Sequence, residues 1–256
     1  MLDKVGTFGM IRFLLPIFPD ASKYYTPVII TLAVISIFYG ALLAIGQSDM
    51  MRLVAFSSVS HFGFIVMGIF AMSSQGLSGS TFYMVNHGFS TGALFLVVGF
   101  LASRRGSKRI EDFGGVQKIA PVLTGVFLIA GLSSLALPGL SSFVSEFMVL
   151  VGTFSVYKTA AVIATFGIVL AAVYILWLYQ RTMTGVASQE VAATVSEITP
   201  RELAAIVPII AIIIALGFFP QVALRIINPA VSQVQTYVGT SDATAVPTPH
   251  TSGSDS

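Results

Sequence analysis

Long apolar stretches, each ended by charge or by glycine, serine or proline, recur along most of the chain. A helix needs about 20 apolar residues to cross the hydrocarbon core of a bilayer, which is ~30 Å thick. Windows of that length without Asp, Glu, Lys or Arg are Pro27–Gly46, Leu53–Ser73, Ser80–Ala102, Thr159–Gln180 and Leu203–Leu224. The pattern predicts that each window is a membrane-spanning helix.

Two further segments are apolar but less regular. Residues 1–15 predict another helix, which ends before the turn-forming sequence Phe18-Pro-Asp-Ala-Ser22. The segment 119–157 has 39 residues and one charge, Glu146. As a continuous helix it would be roughly 58 Å long, which is too long for one crossing, and Leu137-Pro-Gly-Leu140 interrupts it. It is therefore either one broken helix or a hairpin of two short spans.

The positions of Lys and Arg in the predicted loops indicate the orientation of the chain. If the segment is a broken helix, eight of these residues lie on one side of the membrane and three on the other. The first set is Arg52, Arg104, Arg105, Lys108, Arg109, Lys118, Arg181 and Arg201, and the second is Lys23, Lys158 and Arg225. The hairpin moves Arg181 and Arg201 to the second set and moves Lys158 and Arg225 to the first. It therefore also gives eight against three. The richer side is predicted to be cytoplasmic, and charge does not choose between the two interpretations.

Composition supports the bilayer as the solvent, since 55% of the residues are hydrophobic and 9% are charged. Soluble domains have about 25% charged residues. The chain has no cysteine, which excludes thiolate-ligated iron–sulfur clusters, thiolate zinc sites and disulfides. A net charge of +2 is too small to suggest nucleic acid as a partner. We therefore expect neither a metal nor another cofactor in this chain.

The composition changes near the C-terminus. Residues 1–225 form the predicted membrane domain, and residues 226–256 end in a sequence rich in Thr, Ser, Pro and Asp. Such a composition does not bury enough apolar surface to offset the entropy lost on folding. Residues 226–256 are therefore predicted to be a disordered polar tail.

Four ionisable residues fall at membrane depth: Lys4, His61, His87 and Glu146. Such groups cost several kcal/mol unless they are paired or hydrated, so each one is a functional hypothesis. Counting about 1.5 Å per residue places three of them near the midplane and His87 somewhat toward the far side. Burial brings the charged and neutral forms of such groups closer in energy, which a proton relay requires.

Each of these residues also has a structural interpretation. A single buried histidine is usually a structural hydrogen-bonding group, and Lys4 could extend its amine to the membrane surface. Glu146 is the strongest candidate, because it follows the interrupted part of a helix. These four residues are therefore either a proton relay or structural groups of a membrane scaffold.

Several motifs occur in a fixed order: Lys4-Val-Gly-Thr-Phe-Gly, Asp49-Met-Met-Arg-Leu-Val-Ala-Phe-Ser-Ser-Val-Ser-His61, Asn86-His87-Gly-Phe-Ser, Asp112-Phe-Gly-Gly and Leu137-Pro-Gly-Leu-Ser-Ser-Phe-Val-Ser-Glu146. Together they resemble the antiporter-like membrane subunits of respiratory complex I, the proton-pumping NADH-quinone oxidoreductase. The resemblance covers about residues 1–225. Glu146 and Ile37-Phe-Tyr-Gly-Ala41 are similar to the M-type group, whose mitochondrial counterpart is the subunit 4 type. The D-type subunits of multisubunit Na⁺/H⁺ antiporters are the nearest alternative.

The resemblance implies an all-α, polytopic membrane fold of about seven transmembrane helices, with one broken helix near residues 136–145. It implies that Lys4 joins two halves of a proton path, that His61 and His87 continue it, and that Glu146 releases the proton toward the periplasm. It therefore favours the broken helix.

The resemblance also implies the surroundings of the chain. It places the chain in the bacterial inner membrane, with the tail of residues 226–256 on the periplasmic side. The expected partners are other membrane-arm subunits of complex I, including neighbouring antiporter-like subunits, together with lipid, protons and water. The flavin, the iron–sulfur clusters and the quinone are expected on other subunits.

The chain departs from the family in two ways. Met51 stands where the family usually has lysine or another polar residue. The family also has about fourteen helices in two inverted repeats, of which this chain matches the C-terminal seven. We therefore expect the C-terminal half of such a subunit, which alone would hold half a channel.

Overall fold

Helices account for nearly the whole backbone. A computed structural model describes residues 3–240 and Asp242, and no β-strand occurs in that part of the chain. The helices are α1 Asp3–Gly9, α2 Leu15–Ile17, α3 Pro19–Ile45, α4 Met50–Phe70, α5 Ser74–Arg105, α6 Pro121–Ser134, α7 Ser141–Phe154, α8 Lys158–Met183, α9 Gln189–Thr194, α10 Pro200–Phe218 and α11 Gln221–Val238. The predicted all-α membrane fold is confirmed.

The N-terminal segment is a single helix with a local widening. A π-helical turn at Met10–Leu14 connects α1 to α2, and the amide of Leu15 donates to the carbonyl of Met10. Pro16 explains this turn, because its ring lacks an N–H and would clash with the carbonyl four residues earlier in a regular α-helix. Phe18 then leaves the helical conformation, and α3 begins at Pro19.

Five helices, α3, α4, α5, α8 and α10, are long and apolar enough to cross a membrane. They correspond to the five windows predicted from hydropathy. The first helix is shorter and the apolar pair of α6 and α7 is interrupted, so neither meets that criterion as a single helix among the described residues. Two short 3-10 turns, at Ile110–Asp112 and Val116–Lys118, precede α6 at an angle of 116° and do not prolong it.

The helices α6 and α7 form one broken crossing. The start of α6 lies near Arg104 at the end of α5, because Arg104 donates to the carbonyl of Glu197, whose carboxylate accepts from the amide of Val122. The end of α7 lies at the start of α5, where the Ser73 hydroxyl donates to the carbonyl of Gly152 at 2.8 Å. Both helices therefore run along α5 in the same direction, one after the other, which excludes the hairpin.

The break has a clear cause in the backbone. Ala136 and Gly139 have φ values of 57° and 95°, in the left-handed region, and Pro138 between them lacks an N–H. The amide of Leu137 donates to the carbonyl of Leu132 at 3.0 Å, and the amide of Leu140 donates to that of Leu137 at 3.1 Å. Polar backbone groups in the interrupted segment are thus partly satisfied, as membrane depth requires.

The predicted disordered tail of residues 226–256 is wrong up to Val238, because α11 continues to that residue. One face of α11 is buried through Leu224, Val231, Val234 and Val238. These positions recur with the spacing of an amphipathic helix, a pattern that the polar average composition had hidden. The amide of the Gln235 side chain also donates to the carbonyl of Met72 at 3.2 Å. Residues 241 and 243–256 of the proposed tail lie outside the described residues.

Loops on the charge-rich side are held by ionic contacts. Arg104 makes two parallel hydrogen bonds to Glu202 at the start of α10, of 2.7 and 2.6 Å. Glu197 accepts from the amides of Val122 and Leu123, each at 2.9 Å, and so caps the N-terminus of α6. Burial alone raises the pKa of Glu197, but the amide donors, with the one of Ile198 first, lower it below its ordinary value. The start of α6 is thereby fixed to the loop before α10.

Candidate functional site

Glu146 is placed by the start of α7. It lies in the second turn of that helix and is 3% exposed. Asn86 of α5 holds this turn, since its amide donates to the carbonyl of Ser141 at 2.9 Å and to the Ser145 hydroxyl at 3.2 Å. A carboxyl group is thus fixed inside the helix bundle, just after the break.

His61 and His87 face each other across α4 and α5. Both are buried, and their ring centroids are 5.2 Å apart. The depth count placed His87 toward the far side, but α5 begins at Ser74, before the apolar window, so His87 lies close to the middle of this long helix. The structure therefore brings the two predicted histidines together.

Tyr83 connects His61 to Glu146. Its hydroxyl is 2.7 Å from Nδ1 of His61, and it donates to Oε2 of Glu146 at 3.3 Å. Tyr83 is one turn before His87 on α5, so both side chains face the same way. One phenol hydroxyl is thus shared by two of the predicted relay residues.

Tyr174 of α8 extends the connection on the other side of the histidine. Its hydroxyl is 3.3 Å from Nε2 of His61. The polar path therefore runs from Glu146 through Tyr83 and His61 to Tyr174, and each of these residues belongs to a different helix. All four side chains are buried.

Sequence reasoning missed Tyr83, Tyr174 and Asn86. A signal existed for Tyr83, because a tyrosine one helical turn from a buried histidine needs its own hydrogen-bond partner. Asn86 was visible only as part of the motif with His87. Tyr174 lies in a continuous apolar run, and nothing in that run distinguishes it.

Several buried polar atoms around this path have no hydrogen-bond partner among the described residues. They are both ring nitrogens of His87, Oδ1 of Asn86 and the hydroxyl of Ser141. Buried polar groups normally find partners in protein or in ordered water. These atoms belong to two consecutive residues of α5 and to the first residue of α7, next to Glu146 and Tyr83.

Lys4 lies at the edge of this group. Its charge acts on both His61 and His87, and its side chain is half-buried. With Phe8, Met84 and others it lines a cavity of about 430 Å³ between α1 and α5. Of the four predicted residues, the structure brings three into one buried cluster and places the fourth beside it.

The site does not resemble a metal centre. Among the residues that the structure describes, no three His, Cys, Asp or Glu side chains are arranged to hold a metal ion. Met51, which stands where the family usually has lysine, packs against a buried apolar cluster that includes Leu53 and Val97. The side chains at the site are a carboxyl group, two imidazoles, two phenols and the nearby amine, all of them groups that can hold or give up a proton.

Comparisons with known proteins agree with this architecture. NADH-quinone oxidoreductase subunit M of Mycobacterium tuberculosis is 54% identical over 242 residues, which cover 94% of this chain and 44% of that protein. The protein of the same name from Rhodobacter capsulatus is 40% identical, with 93% and 46% covered. The chain thus spans about half the length of the curated relatives it matches.

A solved structure shows the same fold. One chain of respiratory complex I from Thermus thermophilus, solved with bound NADH, superposes with a TM-score of 0.88 at 29% identity, covering 93% of this chain and 50% of that chain. The family model described as "NADH:quinone oxidoreductase/Mrp antiporter, TM" matches residues 1–171. The predicted resemblance to the antiporter-like subunits is confirmed: the chain belongs to the NADH:quinone oxidoreductase/Mrp antiporter transmembrane family.

Proposed function

We propose that the chain is the proton-translocating part of an M-type membrane-arm subunit of NADH-quinone oxidoreductase. The observation that carries this proposal is the buried hydrogen-bonded path from Glu146 through Tyr83 to His61, beside His87. Ionisable groups inside a membrane are costly, and a connected set of them is typical of a proton relay. Lys4, His61, His87 and Glu146 are its proton-exchanging residues.

The electrostatics of the cluster support a role for Lys4 at the start of the relay. A change in charge on Lys4 alters the free energy of protonating His61 and His87, because its charge acts on both. NADH oxidation and quinone reduction on other subunits drive such a change. The proton then moves through the histidines to Glu146 and leaves from there.

The proposal also covers the cofactors of the complex and the partners of the chain. Since the chain has no cysteine, thiolate-ligated iron–sulfur clusters are assigned to other subunits, and the proposal assigns the flavin and the quinone to those subunits as well. Its partners are those subunits, the neighbouring antiporter-like subunits of the membrane arm and the lipid around them. Exposed apolar side chains on the outer face of α3, such as Leu32, Ile35 and Leu42, suit either a neighbouring helix or lipid.

The orientation rests on the distribution of positive charge. The loops with Arg104, Arg109 and Lys118 lie on one side of the bundle, and Lys158 and Arg225 lie on the other. The side richer in Lys and Arg is assigned to the cytoplasm. The helix α11 and the residues after it then lie at the periplasmic face of the bacterial inner membrane.

Replacing Glu146 tests this function. Glu146→Gln keeps the shape of the side chain and removes its ability to exchange a proton. In inverted membrane vesicles we expect normal amounts of the assembled complex, with NADH-driven acidification of the vesicle interior largely lost. Glu111→Gln, on the exposed surface beside Arg109, is the matched control and should pump normally. Unchanged pumping by an assembled Glu146→Gln complex would leave only a scaffold role for the buried charges.

The family also includes Mrp antiporter subunits, so the alternative within it is a D-type subunit of a Na⁺/H⁺ antiporter. The two functions differ in their driving force. A Na⁺ gradient imposed on vesicles without NADH should leave the internal pH unchanged if the proposed function is correct. Proton movement driven by Na⁺ alone would favour the antiporter.

A further inference from the structure

We infer that Tyr83 is itself a proton-carrying residue, whose hydroxyl passes the proton between His61 and Glu146, and that Tyr174 is a positioning residue for His61. This inference rests on the proposed function and adds to its relay two residues that the motifs do not mark. The Tyr83 hydroxyl is 2.7 Å from Nδ1 of His61 and 3.3 Å from Oε2 of Glu146. It is the shared partner of both groups.

The number of hydrogens fixes the direction of these bonds. A phenol hydroxyl has one proton, so Tyr83 can donate to only one of its two partners. When it donates to Glu146, Nδ1 of His61 must donate to the Tyr83 oxygen. A neutral imidazole has one N–H, so Nε2 is then an acceptor, and the hydroxyl of Tyr174, at 3.3 Å, donates to it. Every hydrogen in the path then points toward the carboxylate.

This arrangement permits a balanced transfer of one proton. A protonated His87, whose ring centroid is 5.2 Å from that of His61, gives up its proton and becomes neutral. The Tyr174 hydroxyl turns away from Nε2 of His61, the proton binds that nitrogen, and His61 becomes an imidazolium. The Nδ1–H bond breaks as a new O–H bond forms on Tyr83, and the original O–H bond of Tyr83 breaks as its proton joins Oε2 of Glu146. One proton has entered at Nε2 and one has appeared on the carboxyl group. His61 and Tyr83 are both neutral again, and no oxidant or reductant takes part.

After the transfer, the donor and the acceptor of each hydrogen bond in the path have exchanged roles. Glu146, now protonated, donates to Tyr83, Tyr83 donates to Nδ1 of His61, and Nε2–H donates to Tyr174. A second transfer in the same direction requires that Glu146 lose its proton and that the hydroxyls and the imidazole hydrogen return to their first arrangement. The path therefore moves one proton per cycle and cannot conduct continuously.

Tyr174 has a different task. It does not contact Glu146 in this path, and its hydroxyl lies on the opposite side of the imidazole from Tyr83. By donating to Nε2 it favours the tautomer with hydrogen on Nδ1, which is the tautomer that can pass a proton toward Tyr83. Removing this hydroxyl should slow the relay without breaking the link from His61 to Glu146.

The first test compares single hydroxyl deletions in inverted vesicles that contain the assembled complex. Tyr83→Phe should lower NADH-driven pumping by at least about tenfold, as expected when a proton-transferring group is lost. Tyr174→Phe should give a smaller loss. Tyr179→Phe is the matched control, because this half-buried tyrosine of α8 packs on Phe127 outside the path, and it should pump normally.

The second test separates proton transfer from packing. A difluorinated tyrosine at position 83 keeps the ring and the hydroxyl but makes the hydroxyl more acidic. We expect it to restore pumping and to shift the dependence of the pumping rate on pH relative to the wild type. A purely structural hydroxyl would restore pumping with an unshifted profile, and that result would overturn the inference. This variant also answers the case in which Tyr83→Phe fails to assemble.

The outcomes distinguish this inference from the proposed function. If Glu146→Gln abolishes pumping while Tyr83→Phe pumps like the wild type, the role of Tyr83 is refuted and the relay stands without it. If neither replacement affects pumping in the assembled complex, the proposed function itself fails. Loss of pumping in both, with a shifted profile for the fluorinated residue, supports both.

Discussion

Gly79 of α5 lies so close to the backbone of α7 that a β-carbon on this glycine would be 2.8 Å from the amide nitrogen of Val149. Real β-carbons do not approach other heavy atoms so closely, so any larger residue must push the two helices apart. Tyr83 is one turn after Gly79, and Glu146 is about one turn before Val149. This contact therefore sets the distance between the Tyr83 hydroxyl and the carboxyl group.

Gly79→Ala should separate α7 from α5 and lengthen the hydrogen bond from Tyr83 to Glu146. We expect pumping per assembled complex to fall several-fold, because proton transfer depends steeply on this distance. NADH-driven acidification of inverted vesicles measures the effect. Gly92→Ala on the same helix is the control, since a β-carbon there meets nothing within 4 Å. Equal pumping by the two alanine variants would show that the helix contact does not govern the relay.

The ion pair of Arg104 with Glu202 should stabilise the charge-rich side of the bundle. Its two short hydrogen bonds and its low exposure, 9% for the arginine and 20% for the glutamate side chain, favour a coupling of about 1 to 2 kcal/mol. A double-mutant cycle with alanine at both positions, followed by unfolding in mixed micelles, measures this coupling.

Arg105 and Glu190 provide the comparison for that cycle, because the Glu190 side chain is 74% exposed. Pairs of this kind contribute roughly 0.2–1 kcal/mol. A coupling between Arg104 and Glu202 that is no larger than the one between Arg105 and Glu190 would contradict the assigned role.

The cap that Glu197 makes on α6 should depend on pH. Because the folded protein lowers the pKa of this carboxyl group, its stabilising effect is present above the pKa of the unfolded chain and is lost as the pH falls through the lower, folded value. Glu197→Gln should therefore destabilise the protein at neutral pH by about 1 kcal/mol, as for other helix caps.

The difference in thermal stability between wild type and Glu197→Gln should narrow as the solution is acidified. Unfolding temperatures in detergent, recorded from neutral pH downward, show this trend. Glu111→Gln, which removes an exposed carboxylate beside Arg109, controls for the general loss of a negative charge. A difference that stays constant down to the acid range would refute the cap.

The orientation can be tested by labelling, since the chain has no native cysteine. Ser232 on α11 and Ala193 on α9 are both exposed and lie on opposite sides of the bundle. A membrane-impermeant maleimide should label Ser232→Cys in spheroplasts and Ala193→Cys in inverted vesicles. The opposite result would place α11 in the cytoplasm.

The crossings were predictable because hydropathy is a property of each segment alone. The broken helix was visible for the same reason, since Pro138 and Gly139 interrupt an apolar segment that is too long for one crossing. The prediction of a disordered tail was wrong at α11 because it also relied on average hydropathy. The buried residues of α11, such as Val231 and Val234, are too widely spaced to raise that average.

The site was predictable in part. A count along each helix gives the depth of His61 and Glu146 but not which way each helix faces. Packing against neighbouring helices determines that orientation, and the sequence of a single segment does not show this packing. The connection through Tyr83 and Tyr174 therefore became visible only when α4, α5, α7 and α8 were assembled.

The close contact of α5 with α7 also determines which motions in the bundle are slow. Gly76 meets Gly152, and Gly79 meets Val149, with little side chain between the backbones. Helices packed so tightly do not slide past each other easily, and collective helix motions take microseconds to milliseconds. Side-chain reorientations are faster, in picoseconds to nanoseconds where they are unhindered. Under the proposed function, resetting the path therefore requires only that hydroxyls and an imidazole turn, with no movement of α5 against α7, and the slow step of each cycle lies outside this part of the path.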